Sequence, residues 1–124
     1  MTFAYLCIVA AMFIPLACAG YAKFFRKGYD NKAPREFLEK LSGKGRRAHA
    51  AQQNFYETFP GFAAGVVAAH QMGAAQGCVN AIAATYLTAR VLYAVFYVAD
   101  LDKLRSVSWS VAFIAIISLY FAGL

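Results

Sequence analysis

The run that most constrains this chain extends from Arg46 to Pro60, where a charged, amide-rich segment leads into an apolar one. On a helix, at about 100° per residue, one side of this run carries Arg46, His49, Ala50, Gln53, Asn54 and Glu57. Apolar residues resume after Pro60, so the helix is expected to enter a membrane together with its polar side chains. Polar groups inside a membrane are energetically costly and usually face a bundle interior or a water-filled cavity. This face is therefore the first candidate for a functional site.

The composition favours a membrane protein with a single domain. Of the 124 residues, 61% are hydrophobic and 15% are charged, whereas soluble domains average about 45–50% and about 25%. Nine of the twelve Lys and Arg residues fall between Lys23 and Arg47. The net charge of +6 could indicate a nucleic-acid partner. The clustering of the basic residues is instead typical of a membrane-topology signal and argues against nucleic acid.

The apolar segments predict an all-α membrane protein, a bundle of four transmembrane helices within one domain, 1–124. The predicted spans are about 3–22, 47–72, 78–99 and 107–124, with a basic loop at 23–46. Pro15 is expected to kink the first span, and the segment from Glu36 to Leu41 to form a short amphipathic turn. The positive-inside rule places the basic loop and the turn at 100–105 in the cytoplasm and both termini outside.

The cysteines and histidines give no sign of a metal or disulfide site. Cys7, Cys18 and Cys78 lie in apolar contexts and are expected to be small buried side chains. His49 and His70 are 21 residues apart, too far along one helix to share a metal ion. No metal is predicted.

A second polar feature lies in the third predicted span. Tyr86, Arg90, Tyr93 and Tyr97 follow one another at spacings of four, three and four residues and form one stripe. An aromatic stripe alone is usually packing, but a guanidinium in an apolar helix needs an anionic partner. Glu57 and a ligand carboxylate are the two candidates.

Arg105 and Ser106 follow at the cytoplasmic start of the fourth predicted helix. In one interpretation Arg105 obeys the positive-inside rule and Ser106 caps the helix. In the other, this cation and hydroxyl at a membrane surface stabilise a thiolate or another anion.

Taken in order, these residues resemble the MAPEG family, the membrane-associated proteins in eicosanoid and glutathione metabolism, in its short bacterial form. The resemblance covers nearly the whole chain. It rests on Asp30 to Arg35 in the first loop, on Arg47-Ala48, Ala51-Gln52, Asn54, Glu57 and Phe59-Pro60 in the second helix, on Arg90, Tyr93 and Tyr97 in the third, and on Leu104-Arg105-Ser106.

The resemblance implies a homotrimer in the bacterial inner membrane, with glutathione as co-substrate in a cleft between subunits. The residues that it implies for glutathione binding are Arg47, Asn54, Glu57, Arg90, Tyr93 and Tyr97. Arg105, with Ser106, is implied to stabilise the thiolate for conjugation to, or peroxide reduction on, a lipid-soluble electrophile. One departure is Ala50, which stands where eicosanoid-forming members carry an arginine.

Two other functions stay open from the sequence. A non-catalytic member of the family would keep an internal ion pair between Glu57 and Arg90. A small multidrug transporter would need a titratable carboxylate in its first helix, and residues 1–22 contain none.

Overall fold

The computed structural model describes residues 1–124 and contains helices only. The first long apolar segment is divided into α1 (Phe3–Ala11) and α2 (Phe13–Lys23), followed by the short α3 (Pro34–Glu39). Three longer helices complete the chain: α4 (Gly43–Gln71), α5 (Gln76–Val98) and α6 (Asp102–Phe121). The all-α fold class predicted from the sequence is thus confirmed.

The break between α1 and α2 at Met12 has its cause in Pro15. Proline has no N–H to donate, and its ring crowds the carbonyl of the residue four positions earlier, here Ala11. The helix therefore interrupts at Met12, whose N–H bonds to the carbonyls of Ile8 and Val9. A kink at this position is what the sequence predicts, and Phe3–Lys23 remains apolar and long enough to cross a membrane.

Three segments have the length and apolar character of membrane spans: Phe3–Lys23, Gln76–Val98 and Asp102–Phe121. The longest helix, α4, is not among them because its first half carries the polar run. Its 29 residues would extend for about 43 Å, which matches the thickness of a bilayer with its headgroups. Many large apolar side chains on the outside of the bundle are exposed, as a lipid environment allows.

Both ends of the chain lie at the same end of the bundle. Thr2 Oγ1 is 3.1 Å from His70 Nε2, and Gly123 packs against Met72. The 23–47 segment and the turn between α5 and α6 lie at the opposite end, which we call the basic end. Within that segment, Asp30 closes a turn by accepting a hydrogen bond from the N–H of Lys32, and α3 buries Phe37 and Leu38.

The core lies between α1, α4, α5 and α6 and depends on small residues that let helices approach closely. Gly61 and Gly65 on α4 form a small-xxx-small pair that faces α6. A Cβ at Gly65 would lie 3.1 Å from Leu119 Cβ. The hydroxyl of Tyr120 donates to the carbonyl of Gly61 at 2.9 Å, which closes the contact.

The cysteines only partly follow expectation. Cys7 and Cys18 are buried, but Cys78 is exposed on the first turn of α5. The prediction of a buried Cys78 is wrong because its neighbour Val79 takes the core-facing position at this turn of α5, while Cys78 lies on the outer side.

Replacing Gly65 by valine should lower the free energy of unfolding by about 1–3 kcal/mol, since the added side chain overpacks the contact between α4 and α6. The matched control is Gly20→Val, because a Cβ at Gly20 meets nothing within 4 Å. Thermal unfolding of both variants in detergent checks this, and an equal effect of the two would contradict the close packing of α4 on α6.

Candidate functional site

The site is built around Arg90, which lies in the middle of α5 and is only 1% exposed. Its Nη2 donates a hydrogen bond to Asn54 Oδ1 on α4 at 2.9 Å. Its Nε and Nη1 are buried and have no partner. Buried polar atoms without partners are costly and rare in native structures. Arg90 thus carries unused hydrogen-bond donors inside the bundle.

Two aromatic rings pack near the guanidinium of Arg90. Its Cζ lies 4.2 Å from the centroid of the Tyr93 ring and 5.8 Å from that of Phe55. Such cation–π contacts stabilise a cation by about 0.5–2 kcal/mol. They do not replace the hydrogen bonds that Nε and Nη1 lack, so these two nitrogens still need an acceptor.

Asn54 links Arg90 to Glu57. Its Oδ1 accepts from Arg90, while its Nδ2 donates to Glu57 Oε2 at 3.0 Å. Glu57 was one of the two anionic partners of Arg90 considered from the sequence. The two side chains form no direct hydrogen-bonded ion pair, because the amide of Asn54 lies between them. Glu57 itself is exposed on the surface of the subunit.

A second group of predicted residues meets nearer the basic end. A cavity of about 270 Å³ is lined by Tyr93, Tyr97, Arg105, Ser106, Trp109 and Ser110. The Arg105 guanidinium lies over the Tyr97 ring, with 4.4 Å from Cζ to the centroid. Tyr97 in turn packs edge-on against Tyr93, whose ring also contacts Arg90. The tyrosines thus connect the two arginines.

The turn between α5 and α6 determines where Arg105 lies. Asp100 has a left-handed backbone, with φ of 61°. The N–H of Leu101 bonds back to the carbonyl of Phe96, and that of Asp100 to Tyr97. This is the Schellman pattern that ends many helices. It lets α6 begin at Asp102 and brings Arg105, one turn later, against Tyr97.

Ser106 lies inside α6 rather than at its start. Because α6 begins at Asp102, the interpretation of Ser106 as a helix cap is wrong. Its side chain is exposed and lines the cavity beside Arg105.

Three polar residues singled out in the sequence lie elsewhere. Arg47 Nε donates to the carbonyl of Val98 at 3.2 Å, which holds the end of α5. Tyr86 belongs to the core, where it stacks on Phe62 and shares a hydrogen bond with Thr58. His49 is buried, and its Nδ1 is 3.4 Å from Gln52 Oε1.

Two lining residues, Trp109 and Ser110, were not singled out from the sequence. Trp109 lies four residues after Arg105 and Ser110 lies four residues after Ser106, so helical spacing alone could have indicated them. Trp109 is the one tryptophan of the chain, and it stacks on Phe113 at 5.1 Å between centroids.

Taken together, the site offers two cations, one carboxylate and several hydroxyl and amide groups at the edge of an apolar bundle. These groups match in charge a ligand that carries both negative and positive charge.

Comparison with known proteins identifies the family. The model of the MAPEG family matches residues 1–124, the whole chain. Comparison with curated proteins gives no match, and neither does comparison with solved structures. The family match agrees with the helical fold and with the three segments that are long and apolar enough to cross a membrane. The chain therefore belongs to the MAPEG family and is an integral membrane protein of the family linked to glutathione and eicosanoid metabolism.

Proposed function

We propose that the chain is a glutathione-dependent transferase that acts on lipid-soluble electrophiles. The observation that carries this proposal is the buried guanidinium of Arg90 with two unpartnered nitrogens. An enclosed cation with free donors fits a carboxylate, because hydrogen bonds between a guanidinium and a carboxylate are charge-assisted and stronger than neutral ones. In an apolar helix this carboxylate comes from a ligand, since Glu57 bonds to Asn54 instead.

Glutathione matches the remaining groups. It is a tripeptide with two carboxylates, one α-ammonium group and one thiol. The exposed carboxylate of Glu57 pairs with the ammonium, and Asn54 lies between that pair and Arg90. Tyr93 and Tyr97 offer hydroxyls to the peptide backbone or a carboxylate. Arg47, which lies on α4 beside the end of α5, is assigned as an outer contact of glutathione.

Arg105 is proposed to hold the thiol as a thiolate, with Ser106 as a hydrogen-bond donor. A free cysteine-type thiol has a pKa of about 8.5, and the thiolate is the nucleophile. Lowering that pKa by about two units requires roughly 3 kcal/mol of preferential thiolate stabilisation. One arginine in a partly enclosed site can supply that amount.

The reaction follows from these roles. The thiolate sulfur forms a bond to an electrophilic carbon, the displaced group leaves with the bonding electron pair, and the thiol proton goes to water. With a lipid hydroperoxide, sulfur attacks the terminal peroxide oxygen, the O–O bond breaks, and the alkoxide takes up a proton and leaves as the alcohol. The resulting sulfenic acid then condenses with a second glutathione to give the disulfide and water. A lipid-soluble acceptor reaches the site through the bilayer.

We further propose that the active form is a homotrimer with glutathione between subunits. Glu57 and Gln53 are exposed on α4, in the helix that leads into the membrane. Polar side chains there face a bundle interior rather than lipid, so a neighbouring copy is needed to cover them. The basic end is assigned to the cytoplasm and both termini to the periplasm of a bacterial inner membrane.

Replacing Arg105 by alanine should lower kcat/KM for conjugation about 100-fold, since the loss of roughly two pKa units of thiolate stabilisation has that size. Thiolate absorbance of bound glutathione should disappear as well. Lys103→Ala is the matched control, because it removes an exposed cation from the same turn. Unchanged turnover in Arg105→Ala, from an intact oligomer, would exclude the assigned role.

Replacing Arg90 by methionine should stabilise the protein without ligand while abolishing its response to glutathione. The change removes two buried, unpartnered donors, and a buried charge is often replaced by an apolar side chain with a gain in stability. Glutathione at about 100 times its Kd should stabilise the wild type by about 2.7 kcal/mol. Thermal unfolding with and without glutathione measures both effects.

Arg35→Met, at an exposed position on α3, is the control for this comparison and should respond to glutathione like the wild type. A ligand response that survives in Arg90→Met would place the carboxylate site elsewhere. A wild type that shows no response would favour the non-catalytic alternative.

A further inference from the structure

A second cavity, of about 460 Å³, lies on the outer surface of the bundle near its basic end. Three helices form its walls: α2, the start of α4 and the end of α5. Its lining is apolar except at one place, and alanines from all three helices, among them Ala17, Ala48 and Ala94, make room for it. We call this cavity the α2–α5 groove.

The single charged residue of the α2–α5 groove is Lys44, on the first turn of α4. The wall opposite is fixed by Arg47, whose Nε holds the carbonyl of Val98, itself a lining residue. Lys44 is exposed, and neither an ion pair nor a hydrogen bond occupies its ammonium group. The groove thus combines a long apolar lining with one available cation at the basic end.

On α4, the lysine of the groove points away from the side chains that a neighbouring subunit is proposed to cover. Lys44 and Glu57 are thirteen residues apart on α4, which separates them by about 140° around the helix axis. The polar face with Gln53 and Glu57 needs cover by protein, whereas the alanine-lined face does not. The surrounding bilayer is therefore the natural source of an occupant for the groove.

The positive charge of Lys44 favours some lipids over others. Apolar grooves at the surface of membrane proteins accept acyl chains, and basic pockets between spans on the cytoplasmic side bind anionic headgroups. Lys44 lies within the segment that holds nine of the twelve Lys and Arg residues, so the local potential attracts the same headgroups. A zwitterionic headgroup gains less from this cation, because its own ammonium group offsets the charge of its phosphate.

We propose that the α2–α5 groove is a binding site for one anionic phospholipid. An acyl chain lies along Ala17, Ala48 and Ala94, and the phosphate meets Lys44. This site is separate from the glutathione cleft and does not depend on the proposed transferase activity.

Native mass spectrometry of the protein from nanodiscs with equal amounts of phosphatidylglycerol and phosphatidylcholine tests the charge. The wild type should retain one phosphatidylglycerol per subunit. Lys44→Gln should lower the retained ratio of the two lipids about five-fold, which corresponds to one cation at a membrane surface. Lys27→Gln, which removes an exposed cation outside the groove, should leave the ratio unchanged. A loss of equal size in both variants, or in neither, would overturn the proposal.

A steric pair tests the groove itself. Ala17→Phe fills it and should abolish retention of either lipid, whereas Ala10→Phe, at an exposed alanine outside the groove, should retain phosphatidylglycerol. Retention in Ala17→Phe would overturn the site. Dissociation of the oligomer by Ala17→Phe would instead make the groove a subunit contact, and displacement of phosphatidylglycerol by oleate would make it a fatty-acid site. If Ala17→Phe fails to fold, the comparison of Lys44 with Lys27 decides alone.

Discussion

The buried guanidinium of Arg90 is the constraint around which the bundle is organised. An arginine in the middle of an apolar helix is tolerated only where other groups compensate its charge and its donors. Here one amide accepts one hydrogen bond and one tyrosine ring faces the charge, while two nitrogens stay unpartnered. Such an arrangement costs stability. It is explained most simply by a ligand that completes it.

The rest of the fold places other polar groups where they can serve the ligand that we propose for Arg90. Close packing of α4 on α6 through Gly61 and Gly65 draws the two helices together over α5. The left-handed residue Asp100 ends α5 and starts α6 at the distance that brings Arg105 onto Tyr97. Backbone geometry in a turn thus determines the position of a proposed catalytic residue.

Much of this was accessible from the sequence because its signals are local. Membrane helices follow from apolar length, and Arg90 stands out because a cation in such a helix is expensive. What the sequence could not give depends on tertiary packing. Side-chain geometry between two helices decides whether Glu57 or Asn54 accepts the hydrogen bond from Arg90. In the structure the amide of Asn54 accepts it. The contribution of Trp109 to the cavity likewise depends on how α6 rotates against α5.

The central claim, that this site takes an anionic thiol, is tested most directly by calorimetric titration of glutathione into the detergent-purified oligomer in two buffers of different ionisation enthalpy. The account predicts saturable binding and the release of close to one proton per site at a pH about one unit below the pKa of the free thiol, because Arg105 holds the thiolate. Absence of binding at millimolar glutathione from a folded oligomer would contradict the account. Binding without proton release would contradict the role assigned to Arg105.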